Sequence, residues 1–390
     1  MTVHELLQHE VFDLPVNWVD VRYHTHSGRE YECPSYYHFV VKQLSRYQRL
    51  LKELAELPVM GSLGMPTLPT HSNADLVRMT VRTLCIGIVR TLIAYAKGSP
   101  STAYQTLCEG LEPRNKPRLI HPAANFNTCS ASNRDYYRLR SATYDVTNPQ
   151  GLFHLPFELR YRVKPYRYSI AGYPSLYVAS SPELALRELH QDTWTPDLYA
   201  ARLRVVDAPI KDVRLLDLRN RIEELRSRYT QPTSDYDGQV MRFLCSWPLI
   251  MATSVPTGHP PLADERGCLQ YPGFNEEYVL PQLVLEWVYN SRNRNTPYKL
   301  AGIAFSSARI SLRDPTFAGA FNIVVPAEQP SRSGYCSIRI RQFEISTPVS
   351  IRTLLTEWSE LPATDFAQQL AQRLTEQDYH SVPIQRGTGA

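Results

Sequence analysis

The sequence predicts an α+β protein in which a mainly helical N-terminal region precedes a domain of short strands and single helices. Within the first 130 residues apolar side chains return every three or four positions, and from Tyr136 onward they alternate in short runs instead. A chain of 390 residues with 43% hydrophobic content can bury a sizeable core and divide into domains.

The elements follow in order. Phe39 to Leu57 (FVVKQLSRYQRLLKELAEL) carries the helical period between charged residues, and Ala74 to Lys97 repeats it after a Pro-rich break. Gly98-Ser99-Pro100 stops this second helix and starts a shorter one toward Gly110. The stretch EPRNKPRLIHPAANFNTCSASN has neither period and reads as a linker. Strands are expected at Tyr136 to Ser141, Ser175 to Ala179, Tyr199 to Val206, Val213 to Leu218, Leu300 to Phe305 and Ala320 to Val325. Glu223 to Arg228 suits a helical turn or two, and Gln231 to Gly238 a polar loop. Pro281 to Tyr289 opens with a proline at the first helical position. Ser337 to Ile345 alternates as a strand, Ala363 to Thr375 is an amphipathic helix, and the last ten residues are expected to be disordered. The expected domains are a helical 1–130, a central 131–330, and a 331–390 segment of strand, helix and tail.

Bulk properties exclude several classes. The longest apolar run, Leu84 to Ala96, is interrupted by Arg90, so no membrane-spanning helix is expected. The start, MTVHELLQHEVFDLP, lacks the basic lead and apolar core of a secretory signal, which points to the cytoplasm. Seven cysteines contain no CxxC pair, arguing against a zinc knuckle and a disulfide framework. His24, His26 and Cys33 lack a fourth ligand at conventional spacing, and Asp207, Asp212 and Asp217 suit turns and strand edges, so no metal is expected. Gly61-Ser62-Leu63-Gly64 is followed by Met65 and Pro66, which rules out the nucleotide-hydrolase phosphate loop. A formal charge of +4 is small for this length and gives little support to nucleic-acid binding.

The polar constellation lies between Arg167 and Glu188 (RYSIAGYPSLYVASSPELALRE). Leu176 and Val178 share one strand face, so Tyr177 points to the other, beside the small Ser175 and Ala179. Ser181 and Pro182 form a helix cap and first turn, and Leu184, Ala185, Glu188 and Leu189 fall on one helical stripe. On that reading Glu188 packs inward and must be paired or functional, because burying a lone carboxylate costs several kcal/mol. If Leu186 is the inward residue instead, Glu188 is solvated. Arg167 belongs to a basic and aromatic block, RYRVKPYRY, preceded by Arg134, Arg138 and Arg140. Such a block suits a solvated sheet edge, a nucleic-acid surface or a cradle for a phosphorylated small molecule.

This segment resembles the RES domain, a family named for an arginine, a glutamate and a serine. Arg167, the Gly172-Tyr173-Pro174 turn, Leu176-Tyr177-Val178-Ala179, Ser180-Ser181 and Ala185-Leu186-Arg187-Glu188 follow the family's order and spacing. A second block, Glu277 to Leu283, Glu286-Trp287 and Ala301 to Ala308, resembles the family's C-terminal half, with Ser307 the better match to its serine and Ser306 beside it. Phe321-Asn322-Ile323-Val324 resembles the strand that follows. The resemblance covers roughly residues 136 to 326. Tyr166-Arg167-Tyr168-Ser169 stands where the family has Gly-Arg-Trp-Asn, and residues between Arg219 and Phe274 are extra.

The resemblance implies an ADP-ribosyltransferase-like mixed sheet and an enzyme that degrades NAD at its nicotinamide–ribose bond. Glu188 would stabilise the oxocarbenium-like transition state, and Arg167, helped by Arg138 or Arg140, would hold the pyrophosphate. Tyr177 would stack on nicotinamide or ribose, while Ser307 or Ser306 would hydrogen-bond a phosphate or the attacking group. NAD is then substrate and no cofactor is needed. Water as acceptor gives ADP-ribose, and phosphate gives ADP-ribose 1″-phosphate. By analogy such an enzyme is a growth-arresting toxin or defence effector, with an inhibitory or regulatory protein as partner. The rivals are ADP-ribosyl transfer to a protein or nucleic acid, and a non-catalytic nucleic-acid-binding module built on the basic block.

Overall fold

A computed structural model of the chain describes residues 1–15, 23–26, 29–32, 35–55, 73–112, 128–142, 146, 148–206, 213–229, 236–256, 262–263, 269–270, 274–291, 299–311, 313–328 and 331–381. In chain order its elements are α1 (Val3–Leu7), β1 (Tyr23–His26), β2 (Arg29–Glu32), α2 (Tyr36–Glu53), α3 (Asn73–Ala96), α4 (Pro100–Leu111), β3 (Thr128–Ser130), β4 (Asp135–Ser141), β5 (Ser175–Ala179), α5 (Pro182–Glu188), β6 (Leu198–Val205), β7 (Arg214–Leu218), α6 (Ile222–Arg228), α7 (Tyr236–Thr253), β8 (Leu262–Ala263), β9 (Leu269–Gln270), α8 (Glu276–Ser291), β10 (Gly302–Phe305), β11 (Asn322–Pro326), α9 (Ser337–Gln342), β12 (Phe343–Ser346), β13 (Val349–Ser350), α10 (Ile351–Glu357), α11 (Ala363–Thr375) and β14 (Tyr379–Ser381). The protein is α+β, with helices preceding a large sheet. Among the described residues no helix is long and apolar enough to cross a membrane.

Two compact units result: Met1–Asn127 with Asp217–Trp287, and Thr128–Leu216 with Val288–Ala390. In the first, α2 buries the stripe Tyr36, Phe39, Val40, Leu44, Tyr47 and Leu51 that its period foretells. The buried hydroxyls on that stripe are satisfied, Tyr36 donating to the Ala252 carbonyl (2.8 Å) and Tyr47 to Leu244 (2.7 Å), both on α7. Helices α3 and α4 approach so closely at Gly87 and Gly110 that a Cβ on Gly87 would stand 2.7 Å from the Gly110 Cα. Helix α7 is buried on all sides from Tyr236 through Thr253, apart from a few partly covered positions, and continues through Pro248. Its apolar run shows no amphipathic stripe because it has no solvent face.

The second unit is built on a sheet in the order β14-β12-β6-β4-β5-β11-β10-β7-β3, with β13 also on β6. Alternation assigns its side chains to two cores. Tyr136, Leu176, Val178, Leu203, Ile323, Val325, Phe343 and Ile345 pack on one side with Leu152 and Phe153. Tyr137, Leu139, Ala179 and Ala200 pack on the other, under Leu184 and Leu186 of α5, Ile351 and Leu354 of α10, and Phe366, Leu370 and Leu374 of α11. At the head of β10 only glycine fits, since a Cβ on Gly302 would lie 2.1 Å from the Val324 carbonyl oxygen.

Four expectations are corrected. Ser337 to Ile345 is a helix, α9, followed by the short strand β12. The alternation there misleads because Arg339, fully buried, donates to the carbonyls of Pro326 (2.9 Å) and Ala301 (3.2 Å), where a strand would have turned it to solvent. Pro281 lies inside α8, which starts at Glu276, as buried Val279 and Leu280 carry the helix across it. The expected linker ends in a strand, β3, paired with β7, while residues 113–127 lie outside the described residues. Of the expected polar loop, Tyr236 to Gly238 belong to α7, and residues 231–235 lie outside the described residues. Cys33, Asp207, Asp212, Gly61 to Gly64 and the tail from 382 also lie outside the described residues.

Candidate active site

The site is built where β5 turns into α5. Ser181 caps the helix, its hydroxyl accepting from the Leu184 amide (3.2 Å), and Pro182 supplies the first helical φ. Ser180 ties the same turn to the next strand: its amide donates to the Phe321 carbonyl (2.9 Å) and its hydroxyl accepts from the Phe321 amide (2.8 Å). Leu184, Ala185 and Leu186 are all buried, so α5 packs on a broad face. Glu188, at the helix end, is therefore neither fully inward nor fully solvated: its side chain is 34% exposed, at the rim.

Sheet register brings the carboxylate its partners. Asn322 opens β11 opposite Ala179 of β5 and Phe305 of β10, and directly opposed residues share a face. Its amide Nδ2 donates to Glu188 Oε1 (2.7 Å). Just beyond β10, the buried Ser307 donates its hydroxyl to the same oxygen (2.6 Å) and accepts from the Arg309 amide (3.1 Å). The Arg309 guanidinium stands 3.3 Å from Oε2 through Nε and donates through Nη1 to His190 Nδ1 (2.7 Å). Burial and that neighbouring cation push His190 down to about 4, so its imidazole is neutral and able to accept. Ser306 is buried beside Ser307.

A second group surrounds Tyr177. Its hydroxyl donates to the Tyr168 carbonyl, and the Tyr166 ring meets its ring edge-on with centroids 5.6 Å apart. The Tyr168 ring in turn lies 4.5 Å from that of Phe305. Burial raises the Tyr177 phenol far above its ordinary value, which keeps it a donor. Tyr177 pairs with Val324, two residues along from the Ala179–Asn322 pair on the same face, about 7 Å away. Arg167 sits half-buried in the turn between Tyr166 and Tyr168, the two residues that touch Tyr177.

Arg138 and Arg140 alternate with Tyr137 and Leu139 and so lie on the other side of β4 from α5. Arg140 donates to the Gly151 carbonyl (2.7 Å). Arg138 differs: its Nη1 is shut off from solvent and has no hydrogen-bond partner among the described residues. Burial, reinforced by the charge of Arg140, lowers its affinity for a proton well below the usual arginine value, and Tyr166 and Tyr177 oppose the shift. The structure thus gathers Glu188 with Ser307, and Tyr177 with Tyr166 and Arg138 within electrostatic reach. Sequence reasoning did not assign Asn322, Arg309 or His190 to the site. An amide heading the wholly apolar run IVVP was the one available signal, and for Arg309 and His190 there was none.

Residues 136–246 match the model of the RES domain family. The match includes Arg138, Arg140, Arg167, Tyr177 and Glu188 and ends before Ser307 and Asn322. A protein of Bacillus subtilis (strain 168) named "Putative toxin YopC" is 26% identical over 330 residues, which is 82% of this chain and 70% of that protein. No solved structure matches the chain significantly.

Proposed function

We propose that this RES-domain protein cleaves NAD at the nicotinamide–ribose bond, passing the ADP-ribosyl group to water or inorganic phosphate, and that it acts as a growth-arresting toxin. The carrying observation is the Glu188 carboxylate, held through Oε1 by Ser307 and Asn322 while its side chain keeps a third of its surface open. Ordinary glycosidases need a second carboxylic acid to protonate an alkoxide leaving group. Nicotinamide leaves neutral from a pyridinium and needs none, so one fixed carboxylate suits this bond. In the proposed reaction Oε2 stabilises positive charge growing on the ribose and orients the acceptor.

Arg138 suits the pyrophosphate, because its charge reaches Tyr166 and Tyr177 and a buried guanidinium nitrogen with no partner among the described residues gains most from an anionic one. Arg167, between the two residues that touch Tyr177, is the second candidate for that role, and the Tyr177 and Tyr166 rings are flat apolar surfaces for nicotinamide or ribose. Ser307 is assigned as a holder of Glu188, because its hydroxyl donates to Oε1 and fixes the carboxylate. NAD is consumed as substrate, with no cofactor. The toxin assignment draws on the name of the Bacillus relative, and an inhibitory protein partner follows from it.

The test is incubation of purified protein with NAD, with and without phosphate, followed by identification of the products. Nicotinamide release that Glu188→Gln abolishes, in a variant that stays folded, is the expected result. A wild type that leaves NAD intact, or a Glu188→Gln variant as active as wild type, would overturn the reading. ADP-ribose appearing on a protein or nucleic acid would instead favour the transferase.

A further inference from the structure

The residue after the C-cap of α5 is the place where glycine is commonest, because the chain turns there through the left-handed region. Here it is His190, with φ +59°. A side chain with a Cβ is strained in that conformation, so its presence asks what the side chain does. The left-handed turn aims the imidazole back at Arg309, whose Nη1 donates to Nδ1 at 2.7 Å. The same guanidinium contacts Glu188 Oε2 at the longer distance of 3.3 Å. It is thus anchored by His190 more closely than by the carboxylate. Meanwhile Oε1 carries the two short bonds, from Ser307 and Asn322. Oε2 is the oxygen left for a ribose hydroxyl or an acceptor.

We propose that His190 is a positioning residue that tethers the Arg309 guanidinium, keeping this cation beside Glu188 Oε2 without letting it clamp onto the oxygen that meets substrate. The proposal rests on Glu188 being the reacting carboxylate. With the tether cut, Arg309 is free to close on Oε2 in a tight ion pair that substrate must break, or to leave it. Either outcome lowers turnover with little change in NAD binding, which other residues carry. A neutral imidazole is required, and the depression of His190 to about 4 meets that requirement near neutral pH.

The test compares His190→Gly with His190→Asn, using NAD turnover and thermal unfolding. Glycine relieves the left-handed strain and removes the acceptor. Asparagine tolerates the same φ and places Oδ1 as many bonds from Cα as Nδ1, so it can accept from Arg309. Expected for His190→Gly is a kcat at least about tenfold lower, KM within about twofold, and an unchanged or raised Tm. Expected for His190→Asn is recovery of kcat to within about threefold of wild type. A residue that merely shaped the chain would give the opposite, with kcat kept in His190→Gly. That result, or an asparagine variant as impaired as the glycine one, would overturn the inference while leaving the NAD reading standing. A wild type without NAD turnover would overturn both.

Discussion

Ser307→Ala removes one hydroxyl and with it two bonds, the 2.6 Å donation to Glu188 Oε1 and the acceptor of the Arg309 amide. A hydrogen bond to a charged group contributes about 1.5–3 kcal/mol. Glu188 is a third exposed, so solvent can partly replace the lost donor, and Asn322 still holds Oε1 at 2.7 Å. The lower end of the range therefore applies: about 1.5 kcal/mol, or roughly tenfold in kcat/KM. Asn322→Ala should cost a similar factor through the same oxygen. Only the serine variant also strands a partly buried amide, at about 1 kcal/mol, which in a unit of this size lowers Tm by about 2–4 °C. Steady-state nicotinamide release and thermal unfolding, measured on both variants, read the two effects separately. Should both variants keep kcat/KM within twofold of an active wild type, the carboxylate's orientation would be irrelevant to the reaction and the site assignment wrong.

Two more outcomes follow from buried basic groups. Arg138→Met replaces a guanidinium whose Nη1 lacks a partner among the described residues with an apolar chain. It should raise the urea midpoint, by about 1–3 kcal/mol of stability, while raising KM for NAD at least tenfold; a stable variant with unchanged KM would remove Arg138 from the substrate site. His154, its Nε2 accepting from the Cys336 amide (3.0 Å) and its Nδ1 donating to the Leu155 carbonyl (2.7 Å), is pushed by burial down to about 4. The unfolded chain binds a proton near pH 6.5 and the folded one resists until about 4, so its contribution is full above pH 6.5 and lost as pH falls toward 4, up to about 3 kcal/mol. Urea unfolding from pH 7 to 4 should show that slope, and His154→Asn should flatten it.

Local chemistry was legible where neighbouring residues decide it. Strand β5 has the bounds that alternation in SLYVA predicts, and Ser181-Pro182 caps α5 as the dipeptide implies. The linear order from Arg167 to Glu188 was enough to suggest the RES domain. Where two patterns compete, local reading failed: SIRIRQFEI alternates like a strand, yet Arg339 finds two carbonyls only as part of a helix. Helix α7 was missed because burial on nearly every side leaves no period to detect, and its internal Pro248 argues against a helix.

By itself, then, the sequence determined the α+β class and the strand–turn–helix carrying Tyr177 and Glu188, since these depend on contacts within a few positions. Tertiary structure alone decided how far Glu188 is buried, which oxygen is held and which is offered, and that Asn322, Arg309 and His190 complete the site. Those partners lie up to 134 residues from Glu188. Strand register brings Asn322 to the carboxylate, and a left-handed turn aims His190 at Arg309; neither a long-range pairing nor a backbone angle leaves a periodic trace in the chain.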